Sequence, residues 1–263
     1  MRLLRPAAIE LRDLQALGPG RPDALRGIDL SVPVGARLVL VSRPDEAAST
    51  LLRVLAGLVR STRGHVAMAG LARADDTPRG WARRVGYVGP QPAIYPWLSP
   101  AEALALAGRL AGLERREIGL RVGEMLDRFG LADVASRPLS RSGPMVAQKA
   151  ALAATLITDP EVLLLDEPLR SVDPDERRRL LELPPRRLTV AIASRYPASE
   201  EGIVNQVAFI RDGRMILHGS VAELQTHGLP LSVRGIEQLA DRHLATADRR
   251  PMAGGASRAA IST

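Results

Sequence analysis

The feature that most constrains this chain is a continuous apolar run that ends in two acids, "EVLLLDEP" at residues 161–168. A strand without polar alternation is typical of the centre of a parallel sheet, where helices cover both faces. Strand-like and helix-like segments alternate along the rest of the chain, and a helical stretch is inserted between residues 99 and 135. The pattern predicts an α/β domain built on a mainly parallel sheet.

Composition narrows the classes of function. The 263 residues are 46% hydrophobic and 25% charged and contain no cysteine, which excludes disulfides and thiolate metal sites. The net charge is +7, but the arginines are scattered and aromatic residues make up only 3%, so we expect no nucleic-acid partner. No apolar run approaches the roughly 20 residues that span a bilayer. The first 14 residues lack the apolar core of a signal peptide, so we expect a cytoplasmic location.

A strand, a loop and a helix follow one another at residues 37–59, with "SRPDEAAST" as the loop at 42–50. This is the place of a phosphate-binding loop, G-x-x-x-x-G-K-[ST]. Here the lysine slot holds Ala48, and the glycine slots hold other residues: Ser42, Asp45 and Ala47. The single lysine of the chain, Lys149, lies far downstream, so a shifted alignment does not supply the missing cation.

Four pieces occur in a fixed order: this loop, the turn "VGPQP" with Gln91, "VLLLDEP" followed by "RSVD", and the strand end "IASR". Together they resemble the nucleotide-binding subunit of an ATP-binding cassette (ABC) transporter over about residues 7–224. The resemblance implies a P-loop NTPase-like cassette with a central, mainly parallel sheet and an N-terminal antiparallel β subdomain. It also implies an α-helical subdomain at about 92–150. We expect residues 225–263 to be a largely disordered extension.

The resemblance implies ATP and Mg²⁺ as cofactors. Glu167 would polarise the attacking water as the general base, and Thr50 would face the α-phosphate side. Asp173 would lie at the seam of a cassette dimer, and Gln91 would also connect the site to a membrane partner. The resemblance assigns the Mg²⁺ ligands to three residues: Ser49, Gln91 and Asp166.

Several positions depart from the family pattern. Ala48 removes the cation that bridges the β- and γ-phosphates, and Asp45 places a carboxylate where those phosphates lie. Arg195 stands where the family has a γ-phosphate-sensing histidine. In the signature segment near 140–148, Gly143 is followed by Pro144, which lacks the N–H that contacts the partner's nucleotide.

These observations predict a degenerate ABC subunit that binds ATP weakly or not at all, and the compact helical insert predicts the exporter type. It would pair with a second ABC cassette subunit, as a homodimer or as a heterodimer that a competent cassette completes. An integral membrane permease at the inner face of the cell membrane would be its other partner. Two alternatives stay open. One is an active ATPase in which Arg43 or Arg53 replaces the lysine, and the other is an adaptor unrelated to transport that keeps only the fold.

Overall fold

The computed structural model describes residues 7–18, 21–43, 46–75, 77–91, 93–185 and 187–248. Its strands are β1 (Ala7–Gly18), β2 (Arg21–Pro33), β3 (Arg37–Arg43), β4 (Ser61–Met68), β5 (Leu71–Ala72), β6 (Val85–Val88), β7 (Val162–Asp166), β8 (Thr189–Ala193), β9 (Gln206–Arg211) and β10 (Arg214–Ser220). Its helices are α1 (Glu46–Leu55), α2 (Pro78–Arg84), α3 (Pro100–Ala111), α4 (Arg115–Arg128), α5 (Gly143–Leu156), α6 (Pro174–Glu182), α7 (Val221–Thr226) and α8 (Val233–Asp248). No helix among these residues is long and apolar enough to cross a membrane.

The strands form two sheets. The first has the order β2-β1-β4-β5 and is antiparallel throughout. The second has the order β10-β9-β3-β8-β7-β6, with parallel pairing everywhere except between β9 and β10. Every residue of β7 and β8 is buried, as the unbroken apolar run predicts. The predicted fold class, a mainly parallel sheet with an antiparallel N-terminal sheet and a helical insert, is confirmed.

Helix α1 joins the two sheets. Its apolar side chains, among them Leu51, Leu52 and Leu55, are fully buried in a core shared by both sheets. A second core lies on the other face of the parallel sheet and includes the helical insert and the C-terminal helices. Because β3, β7 and β8 run parallel, their carboxyl ends meet at one edge of the sheet, where ligand sites of open α/β sheets form.

The helical insert is defined by local signals that the sequence carries. Ser99 caps α3 and forms a reciprocal capping box with Glu102, which satisfies two backbone donors of the first turn. Helices α3 and α4 approach closely at Gly108, where an added Cβ would lie 2.9 Å from a side-chain carbon of Ile118. The predicted subdomain limits of about 92–150 remain a prediction, and the observed helices α3 to α5 cover 100–156.

The C-terminal segment corrects one expectation. Residues from 225 onward were expected to be largely disordered, but Val233–Asp248 form helix α8. The side chains of Ile236, Leu239 and Ala240 are fully buried in the second core, so this helix is part of the folded domain. Its weak sequence signal reflects a narrow apolar stripe on an otherwise polar helix. Residues 249–263 lie outside the described residues.

An ion cluster fastens α5 to α6. Lys149 donates to Glu176 Oε1 at 2.6 Å, and Arg179 donates to Glu176 Oε2 at 2.7 Å. The hydrogen bond from Arg179, and next the one from Lys149, lowers the pKa of Glu176 from 4.5 to about 2. Because Lys149 is only 8% exposed, its charge depends on this carboxylate for compensation.

We predict that Glu176→Gln lowers the free energy of unfolding at pH 7 by about 1–2 kcal/mol, because Lys149 loses its charged partner. The folded pKa is about 2 and the ordinary value is 4.5. The carboxylate therefore stabilises the fold fully above about pH 4.5, and this stabilisation is lost as the pH falls from 4.5 towards 2. Urea unfolding of both proteins across this range measures the difference.

The matched control is Glu182→Gln, which changes an exposed carboxylate at the end of the same helix. It should leave the free energy of unfolding within about 0.5 kcal/mol of wild type. A gap between wild type and Glu176→Gln that stays constant from pH 7 to pH 2 would contradict the assignment.

Candidate functional site

A side chain next to the loop after β3 accepts a hydrogen bond from a backbone N–H that would donate to the ligand in a phosphate-binding loop. Ser42, in the first glycine slot, belongs to β3, and α1 begins at Glu46. The hydroxyl oxygen of Ser42 accepts a hydrogen bond from the backbone N–H of Ala48 at 3.0 Å. Ser42 and Ala48 are 5% and 4% exposed. Backbone N–H groups at this turn are the anion donors of a phosphate loop, so this donor is already satisfied inside the protein. Asp45 lies outside the described residues.

A small cavity of about 20 Å³ marks the place where the predicted residues meet. It is lined by Val41, Ser42, Ala48, Ser49, Glu167, Ala193, Ser194, Arg195 and Val233. A cavity must offer roughly 10–15 Å³ to accommodate one water molecule. The described residues around this cavity therefore leave space for about one water molecule.

Asp166, at the end of β7, is enclosed by three neighbours. It is 1% exposed. Ser49 Oγ donates to Asp166 Oδ1 at 2.7 Å, and the hydroxyl of Tyr87 donates to Oδ2 at 3.2 Å. Arg53 Nη2 lies 3.8 Å from the same Oδ2. Burial raises the pKa of Tyr87 above its ordinary value of 10.0, so the phenol keeps the proton that it donates.

Glu167, the predicted general base, is held by two arginines. Its Oε1 accepts from the backbone N–H of Arg195 at 3.0 Å and lies 3.2 Å from Arg195 Nε. Its Oε2 lies 3.2 Å from Nη2 of Arg170. Both carboxylate oxygens thus have cationic partners. The backbone of Glu167 has φ +50°, a left-handed conformation that is costly for a residue with a Cβ.

Thr50 faces protein rather than open solvent. Its Oγ1 is buried and makes no hydrogen bond within the part of the chain that the structure describes. A Cβ built on Gly18, at the end of β1, would lie 3.6 Å from this oxygen. The hydroxyl that the resemblance assigns to the α-phosphate side is therefore enclosed by the β1–β2 hairpin.

The remaining predicted residues lie in other surroundings. Gln91 is exposed and lines a separate, larger groove. Gly143 has φ +81° at the start of α5. Asp173 caps α6 by accepting from the backbone N–H groups of Asp175 and Glu176. None of these three residues lines the small cavity. Of the predicted site residues, those of the loop, the acid pair and Arg195 lie together.

Sequence reasoning missed three residues of the site, Arg170, Tyr87 and Val233, and it considered Arg53 only as a replacement for the lysine. Arg170 follows Glu167 by three positions, a spacing that makes an ion pair easy to suspect. Tyr87 and Arg53 reach Asp166 from other elements, and Val233 comes from α8, a helix that the pattern did not predict. Contacts between elements distant in sequence leave no local signal.

The residues present do not fit a bound Mg²⁺–nucleotide in this arrangement. Serine and aspartate oxygens are suitable Mg²⁺ ligands in kind, but Ser49 and Asp166 are hydrogen-bonded to each other. The lysine slot of the loop holds Ala48, so that position provides no cation to bridge the β- and γ-phosphates.

Comparison with known proteins defines the class. The ABC transporter family model matches residues 25–170, more than half of the chain. The chain belongs to the ABC transporter family and has the fold of that family's ATP-binding subunits. The resemblance inferred from the sequence is thereby confirmed.

Individual relatives agree with this class. The daunorubicin/doxorubicin resistance ATP-binding protein DrrA of Streptomyces peucetius is 29% identical over 209 residues, covering 77% of this chain and 62% of DrrA. The nickel import ATP-binding protein NikO of Rhodobacter capsulatus is 37% identical over 185 residues, covering 66% of this chain and 72% of NikO. The structure of cbiO1 from Clostridium perfringens, part of the ABC transporter complex cbiONQ, matches with a TM-score of 0.73 at 21% identity, covering 92% of this chain and 97% of cbiO1. At that identity the match shows the fold alone.

We predict that Glu167→Gln lowers the free energy of unfolding of the nucleotide-free protein by about 1 kcal/mol, because Arg195 and Arg170 lose their shared counter-charge. Urea unfolding without ATP or Mg²⁺ measures this. Glu201→Gln, an exposed loop carboxylate, serves as the control and should match wild type. Equal stability of the Glu167 and Glu201 variants would show that the arginines do not depend on Glu167.

Proposed function

We propose that this chain is a subunit of an ABC transporter that does not hydrolyse ATP. It serves as the structural or regulatory half of a cassette pair whose other half is a competent cassette. The pair binds an integral membrane permease. The proposal rests on the loop at 42–50. The lysine is absent there, and the backbone N–H of Ala48 donates a hydrogen bond to the hydroxyl of Ser42. The chain spans 62% of DrrA and 72% of NikO, so the activity of the whole transporter belongs to the proposal.

The proposal follows from what phosphoryl transfer requires. Catalysis there is almost entirely positioning and charge stabilisation of the β- and γ-phosphates. Ala48 provides no charge at the position from which a lysine would bridge the two phosphates. Both carboxylate oxygens of Glu167 are paired with Arg195 and Arg170, so the carboxylate is already engaged within the protein.

The first alternative, an active ATPase with a substitute arginine, is less well supported. Arg43 is paired with Glu237 of α8 at 2.6 Å, and Arg53 faces Asp166. Each candidate replacement for the lysine is thus directed at a carboxylate of the protein. Either would have to exchange that partner for a phosphate, and the planar guanidinium does not reproduce the point charge of lysine.

The groove beside Gln91 supports the permease over the second alternative, the non-transport adaptor. Its volume is about 630 Å³, and apolar side chains from α3, α5 and the segment after β6 line it. Exposed apolar residues border the groove: Leu58 at 64%, Tyr95 at 55% and Leu110 at 72%. Tyr95 also stacks on the exposed Trp97 with ring centroids 4.8 Å apart. Exposed apolar surface around a concave site marks a protein-binding face.

We assign the subunit to the exporter-type branch and to the cytoplasmic face of the membrane. The compact insert of α3, α4 and α5 supports this assignment. So does the resemblance to DrrA, a protein named for drug resistance. The transported substrate has no signature among the residues of the site, because in this family arrangement it would contact the permease.

We predict that the wild-type chain binds fluorescent ATP with Mg²⁺ no tighter than millimolar. A restored loop that combines Ser42→Gly, Asp45→Gly, Ala47→Gly and Ala48→Lys should bind about tenfold tighter or more, because it returns the N–H donors and the bridging cation. Titration of both purified proteins measures this. The restored loop with Asp166→Asn is the control and should lose Mg²⁺-dependent binding. Micromolar binding or hydrolysis by the wild type would refute the proposed function.

We predict that Leu110→Asp, at the groove, reduces the fraction of tagged chain that sediments with membranes of its own host by about fivefold or more, because it places a charge in an apolar interface. Leu120→Asp is the matched control, since Leu120 on α4 is 71% exposed and does not line the groove. Sedimentation followed by immunoblotting compares the two. Equal membrane fractions would remove the support for docking at this groove.

A further inference from the structure

Helix α8 crosses the edge of the parallel sheet at which the candidate site lies. It packs against β9 and β10, and Ile236, Leu239 and Ala240 anchor it in the core. Its entry is fixed by a tight turn: the hydroxyl of Ser232 accepts from the N–H of Gly235 at 3.1 Å. A Cβ on Gly235 would lie 2.2 Å from the carbonyl oxygen of Pro230, so the start of the helix packs closely on the turn before it.

Two ion pairs attach α8 to neighbouring strands. Arg43 and Arg211 are register partners at the carboxyl ends of β3 and β9. Arg43 Nε lies 2.6 Å from Glu237 Oε1, and Arg211 Nη2 lies 2.9 Å from Asp241 Oδ1. Acids four residues apart on a helix are about 6 Å apart, and adjacent strands are about 4.8 Å apart. Side chains four residues apart on α8 can therefore reach neighbouring strands of the sheet.

The next turn of α8 reaches the site. Val233 precedes Glu237 by four residues, and it lines the small cavity together with Ser42, Ala48 and Glu167. The cavity lies at the ends of β3 and β8, which are neighbours in the sheet. Asp241, Glu237 and Val233 thus follow the strand order β9, β3, β8. The helix covers the edge at which a phosphate would enter.

We propose that α8 is a strap that closes the small cavity lined by Ser42, Ala48 and Glu167. Glu237 pairs with the guanidinium of Arg43, and Val233 lines the remaining space of the cavity. The strap deepens the proposed function, because it names how access to the same site is regulated. A polyphosphate or another anion reaches the site only when the two ion pairs break and the first turns of α8 lift.

Accessibility of the loop tests the strap directly. The chain has no cysteine, so Ala48→Cys introduces a single thiol at the buried cavity wall. Its rate of labelling by a thiol reagent is measured in the nucleotide-free full chain, with and without Glu237→Gln and Asp241→Asn. Ala153→Cys, fully buried in α5, reports global unfolding in the same backgrounds. Gln238→Ala, an exposed position on α8, is the matched surface control.

The strap predicts that Glu237→Gln with Asp241→Asn speeds labelling of Cys introduced at 48 by roughly 2- to 30-fold, the range expected for losing two exposed ion pairs. Labelling at 153 should not change, and Gln238→Ala should have no effect at either position. Unchanged labelling at 48, or equal acceleration at 48 and 153, would overturn the strap. Failure of the proposed function appears instead as micromolar ATP binding by the wild-type chain, so the two failures are distinguishable.

Discussion

Two adjacent carboxylates at the end of a buried strand impose the central constraint on this molecule. Asp166 is 1% exposed, and the side chain of Glu167 is 10% exposed. Buried charge is stable only when it is paired and hydrogen-bonded. The surroundings of β7 are consequently organised around cations and hydroxyl donors. Arg53, Ser49 and Tyr87 lie at Asp166.

At this edge the chain itself provides counter-charge and hydrogen-bond partners. Arg195 and Arg170 neutralise Glu167, and the hydroxyl of Ser42 satisfies the loop N–H of Ala48. Under the proposed function, Glu167 is retained because the arginines around it need its charge, which gives this carboxylate a structural role in place of a catalytic one.

The same edge connects the site to the rest of the domain. Asp173 caps α6, and Glu176 on that helix binds Lys149 of α5. The backbone N–H of Ser171, in the same segment as Asp173, donates to Gln148 of α5 at 2.9 Å. Helix α5 is therefore joined by hydrogen bonds both to α6 and to the segment that follows the acid pair.

Much of the architecture could be predicted from the sequence, because it depends on local patterns. The apolar run before Asp166 predicts a central strand, and Ser99 with Pro100 predicts the start of α3. The departures at Ser42 and Ala48 were also visible, since a phosphate loop needs particular residues at fixed spacing. The expectation for the C-terminal extension was wrong for α8, because three buried side chains on a polar helix make a weak pattern.

By itself, the sequence determined the order of strands and helices, the acid pair and the loss of the loop lysine. Periodicity and motif spacing are properties of neighbouring residues, and these features need nothing more. Only the tertiary structure decided which cations meet Glu167, how small the cavity is and that Val233 closes it. These depend on side chains from β3, β8 and α8, which the parallel sheet brings to one edge from positions up to about 190 residues apart.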